Sequence, residues 1–569
     1  MSEIIIKNGH VFDAVTGLKG DVADVCIKDG KFVDKVSNAA TVIDATGKTV
    51  MAGALDVHTH VAGPKVNLGR WYRPEDKFRL GERCSAKINP KTKIEGGFSI
   101  PTVYKTGYEY ARMGFGFLME AAMPPLYSRH VHEEIRDTPI VDEAAMPVFG
   151  NNWFMFEYLK NGEIDNAAAY VAWMLRQTKG YGIKCVNPGG SEAWAWGLNC
   201  MTINDPVPYF EITPKEIIAG LITTNEELHL PHSVHLHSNN LGNPGNYTTT
   251  LDSLKIAEDF KPNNNLGRKT VLHHTHIQFH SYGGTGWGDF ESKSKEVMDY
   301  VNSTPQISVD TGSVTLDETT TMTADGPFEY HLGALNHLKW GNVDVELETS
   351  SGVVPYVYSP NVKVCDIQWA IGLEIPLFAK DPMRTMITTD HPNAGPFTRY
   401  PRIYAWLMDK QYRDNLLNSF KYSTKVIDAT YLAEIDREIN LYELSQMTRA
   451  GPAQVLGLSG SMGGLAPGMK ANLAVYNINP DNMPKGVDLE NAFAKSAYFF
   501  KDGVKVVEDG VVLDADPVVK KTYWVDAKVP ENKQVMHDIT EKFLKYYSVN
   551  LGNYEVVDHY APHQEIIEV

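Results

Sequence analysis

Four His-x-His pairs stand in this chain, at His58/His60, His130/His132, His235/His237 and His274/His276. Its 19 histidines among 569 residues would give about 0.6 such pairs by chance. Side chains at i and i+2 of a strand share a face, so a strand ending in His-x-His aims two imidazoles at one point. Imidazole is the commonest side-chain ligand of zinc and similar metals. The first pair closes an apolar run, in Gly53-Ala54-Leu55-Asp56-Val57-His58-Thr59-His60. That placement points to a metal-dependent hydrolase.

Lys184 stands alone in an otherwise apolar stretch, Gly182-Ile183-Lys184-Cys185-Val186. A buried ammonium is costly unless paired or neutralised, and desolvation lowers a lysine pKa. A neutral amine beside metals can take up CO2 as a carbamate, which turns a cation into an anionic ligand for two metals. The competing reading is a lysine whose head snorkels past the strand end. The His-x-His pair tips the balance to the carbamate.

His237 and His276 are the C-terminal members of their pairs and are expected to reach the metals. His235 and His274, one step deeper, are expected to be hydrogen-bonded supports. Asp390 follows the apolar run 386–389. It can bind one metal and accept a proton, or else cap a turn before Pro392. His391 beside it is a second candidate for moving the proton, and Asn240 a candidate substrate contact. His130 and His132 lie among Arg and Glu neighbours, which predicts a helix start with solvated histidines.

These residues need a frame. Apolar runs at about 50–57, 116–122, 147–150, 182–186, 234–237, 270–277, 306–310 and 385–389 alternate with helix-like stretches. Eight such runs with crossover-length connections predict an α/β fold, a (β/α)8 barrel over residues 51–455. Its candidate ligands stand at strand C-termini, where barrels build active sites. Short strands punctuated by Asn-Gly and Asp-Gly turns occupy residues 1–50 and return at about 456–515. They predict a small β-sandwich domain built from both chain ends. Long insertions at about 61–113 and 311–384 are expected to form lids or contact surfaces. A C-terminal extension, 516–569, carries no assignable role.

Composition narrows the class. Hydrophobic residues make up 43% and charged residues 22%, with a formal charge of −17. The acidic balance argues against nucleic acid as a partner. No apolar run is long enough for a membrane span, and no signal peptide is visible, so a cytoplasmic location is expected. The five cysteines (Cys26, Cys84, Cys185, Cys200, Cys365) lack Cys-x-x-Cys spacing. The chain is therefore expected to carry no redox cofactor of its own.

The order His-x-His, Lys, His, His, Asp within a barrel flanked by a split β-domain resembles the amidohydrolase superfamily, in its dinuclear branch with a carboxylated lysine. Longer strings are similar to the amidohydrolase-type subunits of formylmethanofuran dehydrogenases: residues 182–190, His237-Ser238-Asn239-Asn240-Leu241-Gly242, Gln278-Phe279-His280-Ser281-Tyr282-Gly283 and Thr389-Asp390-His391-Pro392-Asn393-Ala394-Gly395-Pro396. The resemblance implies two divalent metals, zinc fitting best, on His58, His60, carboxylated Lys184, His237, His276 and Asp390. It implies interconversion of formate plus methanofuran with N-formylmethanofuran plus water. Partner subunits with tungsten or molybdenum and iron–sulfur clusters would perform the redox step. Lys65, five residues after His60, is a cation that could attract formate; otherwise it is an ordinary loop lysine. Two alternatives remain open: the hydrolase component of a formyltransferase/hydrolase complex, and a free-standing dihydropyrimidinase-like enzyme.

Overall fold

Eight buried strands follow one another through the middle of the chain. They are β1 (Ala54–Thr59), β2 (Phe115–Met123), β3 (Asp142–Pro147), β4 (Lys184–Val186), β5 (Val234–His237), β6 (Leu272–His274), β7 (Ile307–Asp310) and β8 (Thr385–Met386). The structure, a computed structural model, describes residues 3–78, 96–342, 351–513, 518–529, 533–547 and 549–569. Strands β1 to β3 pair in parallel, as do β4 to β8. Parallel bridges Val148–Lys184 and Thr59–His391 join the two sheets at both seams and close an eight-stranded barrel. Strands buried on both faces are largely apolar, which is why most of them stand out in the sequence.

Two expected strands are placed differently. The run at 50–57 divides at Gly53: Thr49–Ala52 pairs with Leu473–Tyr476 of the small domain, and β1 starts after it. The run at 147–150 begins earlier, as β3 includes Asp142 and Glu143. These two charges hide the strand in the sequence, but both are buried against lysines, Lys501 at 3.0 Å and Lys520 at 3.6 Å.

Strands Glu3–Asp13, Leu18–Lys28, Lys31–Val33, Thr41–Asp44 and Thr49–Ala52 join Leu473–Tyr476, Tyr498–Lys501, Val504–Glu508 and Val511–Val512 in one nine-stranded sheet. A Lys31–Lys470 bridge curls its edge back, so that Ile27, Phe32, Val50, Val475 and Phe500 share one core.

The C-terminal segment supplies β9 (Thr522–Asp526) and β10 (Gln564–Glu568), which extend the barrel sheet beside β3. Val525 N donates to Gly180 O at 3.0 Å, so β9 fills the gap between β3 and the chain entering β4. The two long insertions meet. Helix Pro64–Tyr72 packs on a three-stranded antiparallel sheet of Glu318–Thr323, Gly341–Asn342 and Gly352–Val357. Val66, Ile100, Met322 and Val353 form the apolar seam. Positions 79–95 and 343–350 of these insertions lie outside the described residues. Among the described residues no helix is long and apolar enough to cross a membrane.

Candidate metal centre

One pocket at the C-terminal end of the barrel is lined by His58, His60, Lys184, His237, His276 and Asp390. Each of the six is at least 97% buried. Asp390 Oδ1 lies 2.9 Å from His58 Nε2 and 3.4 Å from His60 Nε2. Two donors on one tetrahedral zinc stand roughly 3.3 Å apart, so these three atoms are spaced for a shared ion. Leu241, Phe279, Phe328 and Tyr358 supply apolar wall, and the insertion at 311–384 adds Thr321, Thr323 and Glu329. That insertion is thus part of the pocket itself.

The ring orientations are fixed from behind. His232 Nδ1 lies 2.8 Å from Val455 O, which can only accept. His232 Nε2 then accepts from His235 Nδ1 at 2.9 Å, and His235 Nε2 from His58 Nδ1 at 2.9 Å. With all three rings neutral, one carbonyl sets every proton in the chain and leaves the His58 Nε2 lone pair facing the pocket. Thr275 Oγ1 also touches His58 Nδ1. On the other side, His60 Nδ1 lies 3.1 Å from Glu120 Oε1. Glu120 Oε2 accepts from Val61 N and Ala62 N at 2.8 and 3.0 Å. His237 Nε2 lies 3.1 Å from Asp325 Oδ2. His276 takes φ 32°, and its N–H donates to Asp310 Oδ1 at 2.9 Å.

Burial, with the nearby Lys184 charge, pushes His58 down to about 4. Burial also lowers His237, and holds His276 well below the imidazole range. All three stay neutral, as metal ligands must. Burial lowers Lys184 to about 7, against the pull of Asp310 and Asp390.

The residues fit a divalent metal. Lys184 Nζ and His276 Nδ1 are buried without a hydrogen-bond partner among the described residues. Such orphaned atoms are costly unless something completes them. A second carboxylate–histidine group, His58, His235 and Asp310, also clusters. The 2.9 Å between His58 Nδ1 and His235 Nε2 is a hydrogen-bond length, so this group reads as support behind the pocket.

Four sequence candidates lie elsewhere. His274 is turned away from the pocket, to Ser238 Oγ at 3.0 Å. His273, register partner of His235, takes the inward position instead and bonds Asp310 Oδ2 at 3.0 Å. The left-handed His276 breaks the two-residue alternation that the His274 expectation assumed. Lys65 is buried and donates to Ala122 O at 2.9 Å, so it is held to the backbone. Asn240 shapes a turn, its Oδ1 accepting from Asn243 Nδ2 at 2.8 Å. His391 Nδ1 accepts from Phe397 N at 3.1 Å, on the far side of the closing seam. His132 is not solvated: it is buried on helix Ser128–Asp137 against Thr178 O at 2.8 Å. Sequence reasoning missed Glu120, Asp310, Asp325 and His232. Glu120 had a signal, as the one charge in the apolar β2, and Asp310 closes an expected strand. Asp325 comes from an insertion and had none.

The comparisons agree with this architecture. The amidohydrolase family model matches residues 41–513. The chain is 52% identical over 570 residues to protein FwdA of Methanocaldococcus jannaschii, covering 100% of this chain and 99% of that one. It is 34% identical over 517 residues to FhcA, from the formyltransferase/hydrolase complex Fhc of Methylorubrum extorquens, covering 89% of each. The crystal structure of that complex, FhcABCD with methylofuran, superposes with a TM-score of 0.89 at 31% identity, covering 100% of this chain and 99% of that chain. Barrel, inward histidines and whole-length similarity lead to one conclusion: the chain belongs to the amidohydrolase family.

Proposed function

We propose that this chain interconverts formate plus methanofuran with N-formylmethanofuran plus water, as the non-redox half of a formylmethanofuran dehydrogenase complex. The observation that carries the reading is the convergence of all six ligand candidates on one pocket, in a chain similar over its whole length to FwdA. His58, His60, carboxylated Lys184, His237, His276 and Asp390 would hold two divalent metals, and this donor set suits zinc. When bound, such metals acidify water and polarise a carbonyl oxygen. The chain's own part is positional and protonic. Asp390 is the base that takes a proton from water and returns it to the departing amine nitrogen. Leu241, Phe279, Phe328 and Tyr358 keep bulk water from the amide and suit a flat ring. In synthesis the same groups act in reverse order. A closed complex that supplies formate at high local concentration favours that direction.

The scattered cysteines support leaving electron transfer to tungsten or molybdenum and iron–sulfur partner subunits. The similarity to FhcA favours a second reading, in which the same pocket works in the hydrolytic direction within a formyltransferase/hydrolase complex. Both readings share one test. The isolated, metal-loaded chain should release formate from formylmethanofuran without an electron acceptor. Efficient cleavage of dihydrouracil or hydantoin, with formylmethanofuran left intact, would move the chain to the cyclic-amide hydrolases.

A further inference from the structure

Glu329 is fully buried on helix Gly326–Leu335 of the second insertion, yet it lines the same pocket as the six ligand candidates. Gly352 packs against it so closely that a Cβ there would lie 2.2 Å from Glu329 Cβ. Its two oxygens differ. Oε2 lies 2.8 Å from Thr321 Oγ1. Oε1 has no hydrogen-bond partner among the described residues.

The hydrogens can be counted. Thr321 Oγ1 also lies 3.0 Å from Val354 O, which can only accept. One hydroxyl carries one hydrogen. In the arrangement that makes both contacts hydrogen bonds, the hydroxyl hydrogen goes to Val354 O and the hydrogen between Oγ1 and Oε2 comes from Glu329. The surroundings agree: burial, then Asp325 and Asp390, push Glu329 well above the carboxylate range, and Lys65 opposes them too weakly to reverse it. Oε1 is then a neutral, carbonyl-like acceptor facing the pocket.

We propose that Glu329 recognises the nitrogen side of the substrate, with Oε2–H bonded to Thr321 and Oε1 accepting the N–H of the formamide or amine. This rests on the amide reading of the pocket and adds a specificity-determining residue to it. A neutral acceptor suits that task, because it binds the N–H without holding the amine as an unreactive ammonium. Glutamine reproduces both contacts: its NH2 donates to Thr321 and its carbonyl faces the substrate. Leucine keeps much of the volume and loses both.

The test compares two small probes on the metal-loaded protein by calorimetry. N-methylformamide carries one N–H and N,N-dimethylformamide none. Wild type should prefer the first about fivefold, the worth of one neutral hydrogen bond. Glu329→Gln should keep that preference, and its kcat/KM on formylmethanofuran should fall no more than about threefold. Glu329→Leu should bind the two probes equally and lose about tenfold in kcat/KM, chiefly through KM. A Glu329→Gln variant as impaired as Glu329→Leu would show that an ionised carboxylate is required and overturn the proposal. So would a wild type that binds both formamides equally, a result that stands even if the leucine variant fails to fold. Wild type that prefers N-methylformamide but leaves formylmethanofuran intact would keep the N–H acceptor and remove the substrate assignment.

Discussion

His58 Nδ1 and His235 Nε2 lie 2.9 Å apart, and this contact decides which nitrogen of His58 faces the pocket. The chain behind it, His235 to His232 to Val455 O, ends on a carbonyl that cannot donate. The polarity of three rings is therefore anchored in a backbone carbonyl 397 residues away in sequence, since Val455 follows His58 by 455 − 58.

The first prediction follows from that chain. His232→Leu removes an acceptor that touches no pocket atom, and it frees His235 to take the wrong tautomer. Metal affinity should fall about 10–100-fold, as for other partners that orient metal-binding histidines. Chelator competition measures it. Unchanged affinity would show that Thr275 alone orients His58.

Lys184→Ala should lose both metals and all turnover, and short carboxylic acids added to it should restore part of each. A pH dependence also follows. The folded-state pKa of Lys184 is depressed, to about 7 from 10.5, so the unfolded chain binds the extra proton between these values. Stability of the metal-free protein should therefore rise with pH across that window, level off above 10.5, and be lost as pH falls toward 7. Lys184→Met should flatten this slope. Chemical denaturation of both proteins across the window reads the difference, and parallel slopes would mean that the Lys184 ammonium is solvated.

Asp390→Asn should keep much of the metal, because five of the six ligand candidates remain. Turnover should fall about 10²–10⁴-fold in both directions, the range for losing a general base. Near-normal hydrolysis by this variant would move the proton-transfer role to another residue.

Gly312 tests the geometry of His276. It sits at φ +62°, and a Cβ there would lie 2.5 Å from His276 Cβ. Gly312→Ala should push His276 out of line and weaken metal binding, although no ligand is changed. A variant that binds metal as wild type does would show that this segment yields easily.

Much of this was legible in the sequence, for a physical reason. Parallel strands buried on both faces read as nearly unbroken apolar runs, so His58, Lys184 and His237 stand out against them. The alternation of two also placed His235 beneath His237. It failed at His274, because the chain leaves β6 there and turns through a left-handed His276. It failed at the start of β3, where Asp142 and Glu143 look like loop residues until Lys501 and Lys520 are brought to them. Asp325, behind His237, and Glu329, in the pocket, were invisible because they come from an insertion whose position depends on packing against Val66 and Ile100, not on any periodicity.

The most direct measurement titrates divalent metal into the metal-free chain and follows formate release from formylmethanofuran in the same samples, with no electron carrier present. The rate should climb to its maximum at two metals per chain and should not respond when an electron acceptor is added. A maximum at one metal or none, or a rate that depends on the acceptor, would contradict a two-metal amide chemistry separate from the redox step.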